Sequence, residues 1–209
     1  MKFWDAPSSS LPYTIDEVTS AFWDRYPNSY AKHIMSEDVL DRHVTENTIV
    51  TKKLIVKEGN SIIKRVPRWL SKMTTIRVVP VIEESVYDRT TKRLTTYTRN
   101  VAHNELFSMH ERCVYKPTDH QEGHHVKFLT DVLRTAFIHF DYGRMSSICD
   151  KVFLMGFKNS IVKTTKGLTE KLEERFGVRQ LHNAKMQQIK EKIIKSSSNI
   201  VTHVKCEEE

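Results

Sequence analysis

The sequence predicts an α+β fold: a meander of antiparallel strands covered on one face by a single long C-terminal helix. Three patterns carry this expectation. Between about residues 32 and 132 the apolar positions recur with a period near two, as in Val126, Phe128, Thr130 and Val132, which is the signature of half-buried strands. From Arg144 to about Phe176 the period lengthens, with Phe153, Phe157, Ile161, Leu168, Leu172 and Phe176 spaced mostly four apart, as on the apolar stripe of an amphipathic helix. Turn residues separate the alternating runs at Glu58-Gly59-Asn60, Asp88-Arg89-Thr90-Thr91 and Pro117-Thr118-Asp119, so the strands fold back on one another.

The first element begins at Thr14-Ile15-Asp16-Glu17, where Thr followed three residues later by Glu marks a capping box ahead of Val18, Phe22 and Tyr26. This helix ends near Arg25, because Pro27 cannot continue the ladder and Asn28-Ser29 favours a turn. Strands follow at roughly 32–44, 48–58, 75–87, 93–102, 106–116 and 124–135. Pro80 lacks the amide proton a ladder needs, which predicts an edge strand or a bulge. Beyond Gly177 the chain is weakly helical and ends in Glu207-Glu208-Glu209. An antiparallel sheet with one helix laid across it encloses a space, and that space suits a bulky apolar ligand unless side chains fill it.

Hydrophobic residues make up 39% and charged residues 28% of 209 positions, a balance that supports a globular core and excludes compositional disorder. The formal charge of +7 predicts attraction to a polyanion: nucleic acid, an acidic protein or an anionic membrane. No strand carries an RNP-type signature and no basic recognition helix is visible, which sets nucleic acid aside. Cys113, Cys149 and Cys206 include no close-spaced pair, so neither a disulfide framework nor a zinc site is expected. No apolar run approaches the roughly 18 residues of a membrane span, and Met1-Lys2-Phe3-Trp4-Asp5 reads as neither secretion signal nor presequence. A soluble chain made in the cytosol is the expectation.

The common hydrolase, zinc, P-loop and dinucleotide motifs are absent from the sequence. His124-His125 would point to opposite faces of a strand, which is wrong for chelating one metal. No catalytic residue, metal or cofactor is therefore expected. Two features ask for a function. Cations flank Trp69 and Leu70 in Lys64-Arg65-Val66-Pro67-Arg68-Trp69-Leu70, a composition suited to entering a lipid headgroup layer; a loop folded back on the core is the plain alternative. On the long helix Val152, Gly156, Lys163 and Gly167 return to nearly one azimuth. Small residues there leave room, and the Lys163 ammonium inside a cavity would await an anion such as a phosphate.

Five separated motifs in register resemble the PRELI-domain proteins: Arg25-Tyr26-Pro27-Asn28-Ser29-Tyr30, Val66-Pro67-Arg68-Trp69-Leu70, Thr95-Thr96-Tyr97-Thr98-Arg99-Asn100, Glu111-Arg112-Cys113-Val114-Tyr115, and Phe157-Lys158 through Lys163 to Lys166-Gly167. The resemblance covers residues 1–175 as the lipid-binding domain and leaves 176–209 as a helical or disordered tail. It implies a START-like fold, with a curved sheet, a long C-terminal helix, a lipid tunnel and a lid loop. It further implies a carrier without enzymatic activity, moving phospholipid between the outer and inner mitochondrial membranes in support of cardiolipin synthesis. Its implied companion is a small twin-CX9C helix-hairpin protein that holds it in the intermembrane space.

Position by position, the resemblance implies that Arg25, Lys163, Lys57 and His33 meet the lipid headgroup and that Val66, Pro67, Arg68, Trp69 and Leu70 form the lid that touches an anionic membrane as a peripheral contact. Converging cations favour a phosphate monoester, hence phosphatidic acid. The lid and the Arg25 motif look like the phosphatidic acid branch. Met1-Lys2-Phe3-Trp4 and Asp38-Val39-Leu40-Asp41-Arg42-His43 look like the phosphatidylserine branch, and Ser160 stands where the family usually has Asn. Phosphatidic acid is the expected cargo; phosphatidylserine, or an adaptor that transfers nothing, is the alternative.

Overall fold

A computed structural model describes residues 2–59, 76–118, 129–141 and 146–179. In chain order these form β1 (Lys2–Asp5), β2 (Ser9–Leu11), α1 (Ile15–Trp23), β3 (Ile34–Val44), β4 (Thr48–Glu58), β5 (Val78–Asp88), β6 (Arg93–Asn100), β7 (Phe107–Pro117), β8 (Thr130–Phe140) and α2 (Ser146–Phe176). The strands make one antiparallel sheet in the order β1-β8-β7-β6-β5-β4-β3, with β2 also paired to β8. The meander and the long helix stand as the sequence predicts, and α2 packs on β8, β1 and α1.

Local chemistry explains α1. Thr14 Oγ1 accepts from the Glu17 amide, and Glu17 Oε2 accepts from the Thr14 amide at 2.8 Å, completing the reciprocal cap. Ile15, Val18, Thr19, Ala21 and Phe22 form its buried face. The helix closes at Trp23, two residues short of the expected Arg25; the Asp24 amide turns back to the Ala21 carbonyl at 3.2 Å, and Arg25 leaves to meet the sheet.

Three sequence expectations need correction. β1 and β2 have four and three residues, too few for a periodicity to register, and their hydrogen bonds come from β8 far along the chain. β8 runs on to Phe140, because its ladder with β7 continues in register to the Phe107–Phe140 pair, and the charged Arg134 among its inward positions hides that continuation from an apolar pattern; residues 124–128 of the expected strand, with His124 and His125, lie outside the described residues. Pro80 sits in central strand β5, opposite Val56 with no register shift, so neither the edge-strand nor the bulge expectation holds. Its carbonyl accepts from Val101 just past the end of β6. Its nitrogen faces that same ended side, so no ladder bond is lost.

The inward face of the sheet is divided by chemistry. One apolar cluster gathers Tyr13, Val18, Phe22, Leu94 and Tyr115 against Leu168 and Leu172. A second gathers Val79, Val81, Phe107 and Ile138, with Phe153 and Phe157 beside it. Between them the strand registers align two polar rows: Lys53, Glu83, Thr98 and Glu111, then Thr51, Ser85, Thr96, Cys113 and Arg134. Ion pairs set opposite charges against one another along this belt. Lys53 Nζ meets Glu37 at 2.8 Å, Arg25 meets Glu83 at 2.5 Å, and Arg134 meets Glu111 at 2.5 Å. No helix among the described residues is long and apolar enough to cross a membrane.

Candidate functional site

On the second cluster's side of the belt the helix does not close onto the sheet. The cavity left there offers about 180 Å³ to the centre of a water-sized sphere, room for on the order of a dozen waters. Val79 and Val81 of β5, Phe107 and Met109 of β7, Ile138 of β8, and Phe153 and Phe157 of α2 give it an apolar wall. His33, Lys57, Asn159, Ser160, Lys163 and Thr164 give it a polar one. Gly156 also lines it, and a Cβ built there meets nothing within 4 Å.

Strand pairing places two members of the polar wall. The Glu58 amide donates to the His33 carbonyl at 2.8 Å, and Ile34 pairs with Lys57, so His33 and Lys57 sit at adjoining strand positions. Lys163 approaches from α2. The His33 ring is half-buried, and burial, reinforced by Lys57 and Lys163 and opposed by Glu58, holds its pKa below 6.5. At neutral pH the site thus combines two ammonium groups with an uncharged imidazole. An anionic ligand would relieve the repulsion among them and raise the imidazole's proton affinity.

Arg25 does not line this cavity. Its guanidinium lies 4.1 Å over the Phe22 ring and 4.6 Å over the Tyr26 ring, donates to the Phe22 carbonyl at 2.9 Å and grips Glu83. Burial alone would lower the arginine's pKa, but the Glu83 carboxylate raises it instead. Arg25 Nε and Glu83 Oε1 remain without hydrogen-bond partners. Of the four expected headgroup residues, the structure gathers His33, Lys57 and Lys163 and keeps Arg25 apart.

The helix face read from the sequence also divides. Gly156 and Lys163 line the cavity, whereas Gly167 packs on Asn28: a Cβ there would stand 2.5 Å from Asn28 Oδ1. Residues 66–70, the expected lid, lie outside the described residues. Glu111 is a lining residue that the sequence reading did not single out as a site residue. The alternation of β7 places it inward, but charge argued for an outward position, and only the pairing with Arg134 makes the burial tolerable. No cluster of potential metal ligands occurs among the described residues.

The model of the PRELI-like family matches residues 16–178. PRELI domain-containing protein 1, mitochondrial, of Gallus gallus is 33% identical over 156 residues, spanning 73% of this chain and 68% of its own length. The Homo sapiens protein of the same name is 33% identical over 163 residues, spanning 76% and 70%. Protein UPS2, mitochondrial, of Saccharomyces cerevisiae is 31% identical over 149 residues, spanning 69% and 60%. Among solved structures, TTHA0849 from Thermus thermophilus superposes with a TM-score of 0.55 at 16% identity, over 84% of this chain and 99% of that one. The ZhuI aromatase/cyclase from Streptomyces sp. R1128 gives 0.52 at 7% identity, over 83% and 94%. These last two likenesses concern the fold alone.

Proposed function

Since the chain belongs to the PRELI-like family, we propose that it is a non-enzymatic carrier of mitochondrial phospholipid. Its cargo in this reading is phosphatidic acid, moved between the outer and inner membranes in support of cardiolipin synthesis. The observation that supports it is the cavity itself, with an apolar wall on one side and Lys57, Lys163 and His33 on the other. Acyl chains gain from leaving water, at about 0.8 kcal/mol per buried CH2, and a phosphate gains from two point charges that have no carboxylate bridge among the described residues. No bond is made or broken. Arg25 joins the headgroup in this reading only where a phosphate replaces Glu83, and its unpartnered Nε is the donor left for that exchange. Residues 66–70 would be the lid, with Trp69 entering the membrane, and a small twin-CX9C protein would be the companion in the intermembrane space.

One observation favours phosphatidylserine as a second reading. The Glu111 carboxylate lines the cavity and would accept a headgroup ammonium that phosphatidic acid lacks. Transfer between donor and acceptor liposomes, with the two lipids in competition and native mass spectrometry of the bound species, separates the readings. Preferential phosphatidic acid, lost on Lys163→Glu in a folded protein, is the expected result. Preferential phosphatidylserine replaces the cargo. No bound lipid, or transfer unchanged by Lys163→Glu, overturns the site.

A further inference from the structure

Between Lys151 and Thr169 the long helix carries three lysines besides Lys151 itself at its start, and no acidic residue. At 100° per residue, Lys151, Met155, Lys158, Val162 and Lys166 fall within an arc of about 80°. All five are exposed, and the two apolar ones are far more exposed than their chemistry favours, Met155 at 58% and Val162 at 54%. None of the three stripe lysines has a carboxylate bridge among the described residues. Lys158 instead lies 5.1 Å from the centre of the Trp4 ring and Lys166 5.8 Å from that of Tyr30. Such contacts steady an ammonium without neutralising it. The neighbouring acid, Asp150, is buried, and Glu170 is engaged by Ser29.

Next round the helix from this stripe stand Asn159 and Lys163, both exposed and both lining the cavity. A surface that engaged the stripe would thus lie along the helix shoulder that borders the cavity.

We propose that this exposed face of α2 is a membrane-docking surface for an anionic bilayer, with Lys151, Lys158 and Lys166 meeting lipid phosphates while Met155 and Val162 enter the headgroup layer. Charge complementarity identifies the occupant: unneutralised lysines around isolated apolar side chains suit lipid phosphates above acyl chains. Continuity with the cavity supplies the use, because docking here presents the cavity's rim to the lipid. The inference rests on the carrier reading for its purpose but not for its test.

That test uses the full chain and vesicles of phosphatidylcholine with and without phosphatidylserine at about one lipid in three, which gives a strongly anionic surface. Cosedimentation measures partition, and loading with detergent-solubilised phosphatidic acid is measured separately. Lys151→Gln, Lys158→Gln and Lys166→Gln together lower partition to anionic vesicles by about a hundredfold, whereas the three corresponding Arg substitutions keep it. Met155→Ser with Val162→Ser weakens what binding survives in high salt. Cargo loading stays intact in every variant, which also reports that the fold is preserved. Partition indifferent to the Gln substitutions, or a parent chain that ignores anionic vesicles, overturns the proposal and leaves an acidic protein as the stripe's partner. Lysine-dependent partition in a chain that loads no lipid keeps the docking surface and removes the carrier reading.

Discussion

Arg25→Met separates two roles for the Arg25–Glu83 pair by a stability measurement. Both side chains are nearly sealed from solvent, 4% and 7% exposed, and the contact is 2.5 Å. Removing the guanidinium leaves a buried carboxylate unpaired, which costs about 3–5 kcal/mol out of a total typically of about 5–15. For a domain of this size each kcal/mol is about 2–4 °C, so the lipid-free variant should melt about 6–20 °C lower. Arg25→Met combined with Glu83→Leu removes both charges, and most of the loss should return. Urea unfolding of the two single variants and the double, followed by circular dichroism, gives the coupling energy. A single-variant loss below about 1 kcal/mol would refute the reasoning. In that event, abolished lipid loading would make Arg25 a headgroup residue held in waiting rather than a member of the buried belt.

Four further outcomes follow from the same geometry. The pKa of His33 is depressed in the folded chain by burial, Lys57 and Lys163, so the unfolded chain takes up a proton first. Its contribution to stability is therefore present above about pH 6.5 and is lost as pH falls through the lower folded value; His33→Gln should remove that part of the pH dependence in urea titrations. Gly167→Ala should cost about 1–3 kcal/mol, because the Asn28 side chain it meets is tied to the Arg25 carbonyl at 2.7 Å and the Tyr30 amide at 3.0 Å; a neutral result in thermal melts would show that Asn28 yields. Gly156→Leu, by contrast, projects into open space and should cut lipid loading more than tenfold while leaving the melting temperature unchanged or higher, since glycine weakens a helix interior by about 1 kcal/mol. Burial pushes the Cys113 thiol up to about 11, so alkylation at pH 8 mapped by peptide mass spectrometry should spare it until the chain unfolds.

Local chemistry made much of this protein legible in its sequence. Thr14 and Glu17 announce a cap that neighbouring residues complete by themselves. The alternation in the middle strands and the fourfold spacing from Phe153 to Phe176 declare which face of each element must leave water, and the separated motifs declare the family. The sheet order decided the rest, because it brings together residues whose meeting no local period records. Pro80 is accommodated in a central strand only because β6 ends beside it. Arg25, which a motif marks for the headgroup, is captured by Glu83 from a strand 58 residues away, since a buried guanidinium takes the nearest carboxylate that burial offers. Gly156 and Gly167 share a helix face in the sequence, yet one opens on the cavity and the other rests on Asn28. Whether a small residue leaves room or permits contact is settled by what the opposite element places there, and that belongs to tertiary packing alone.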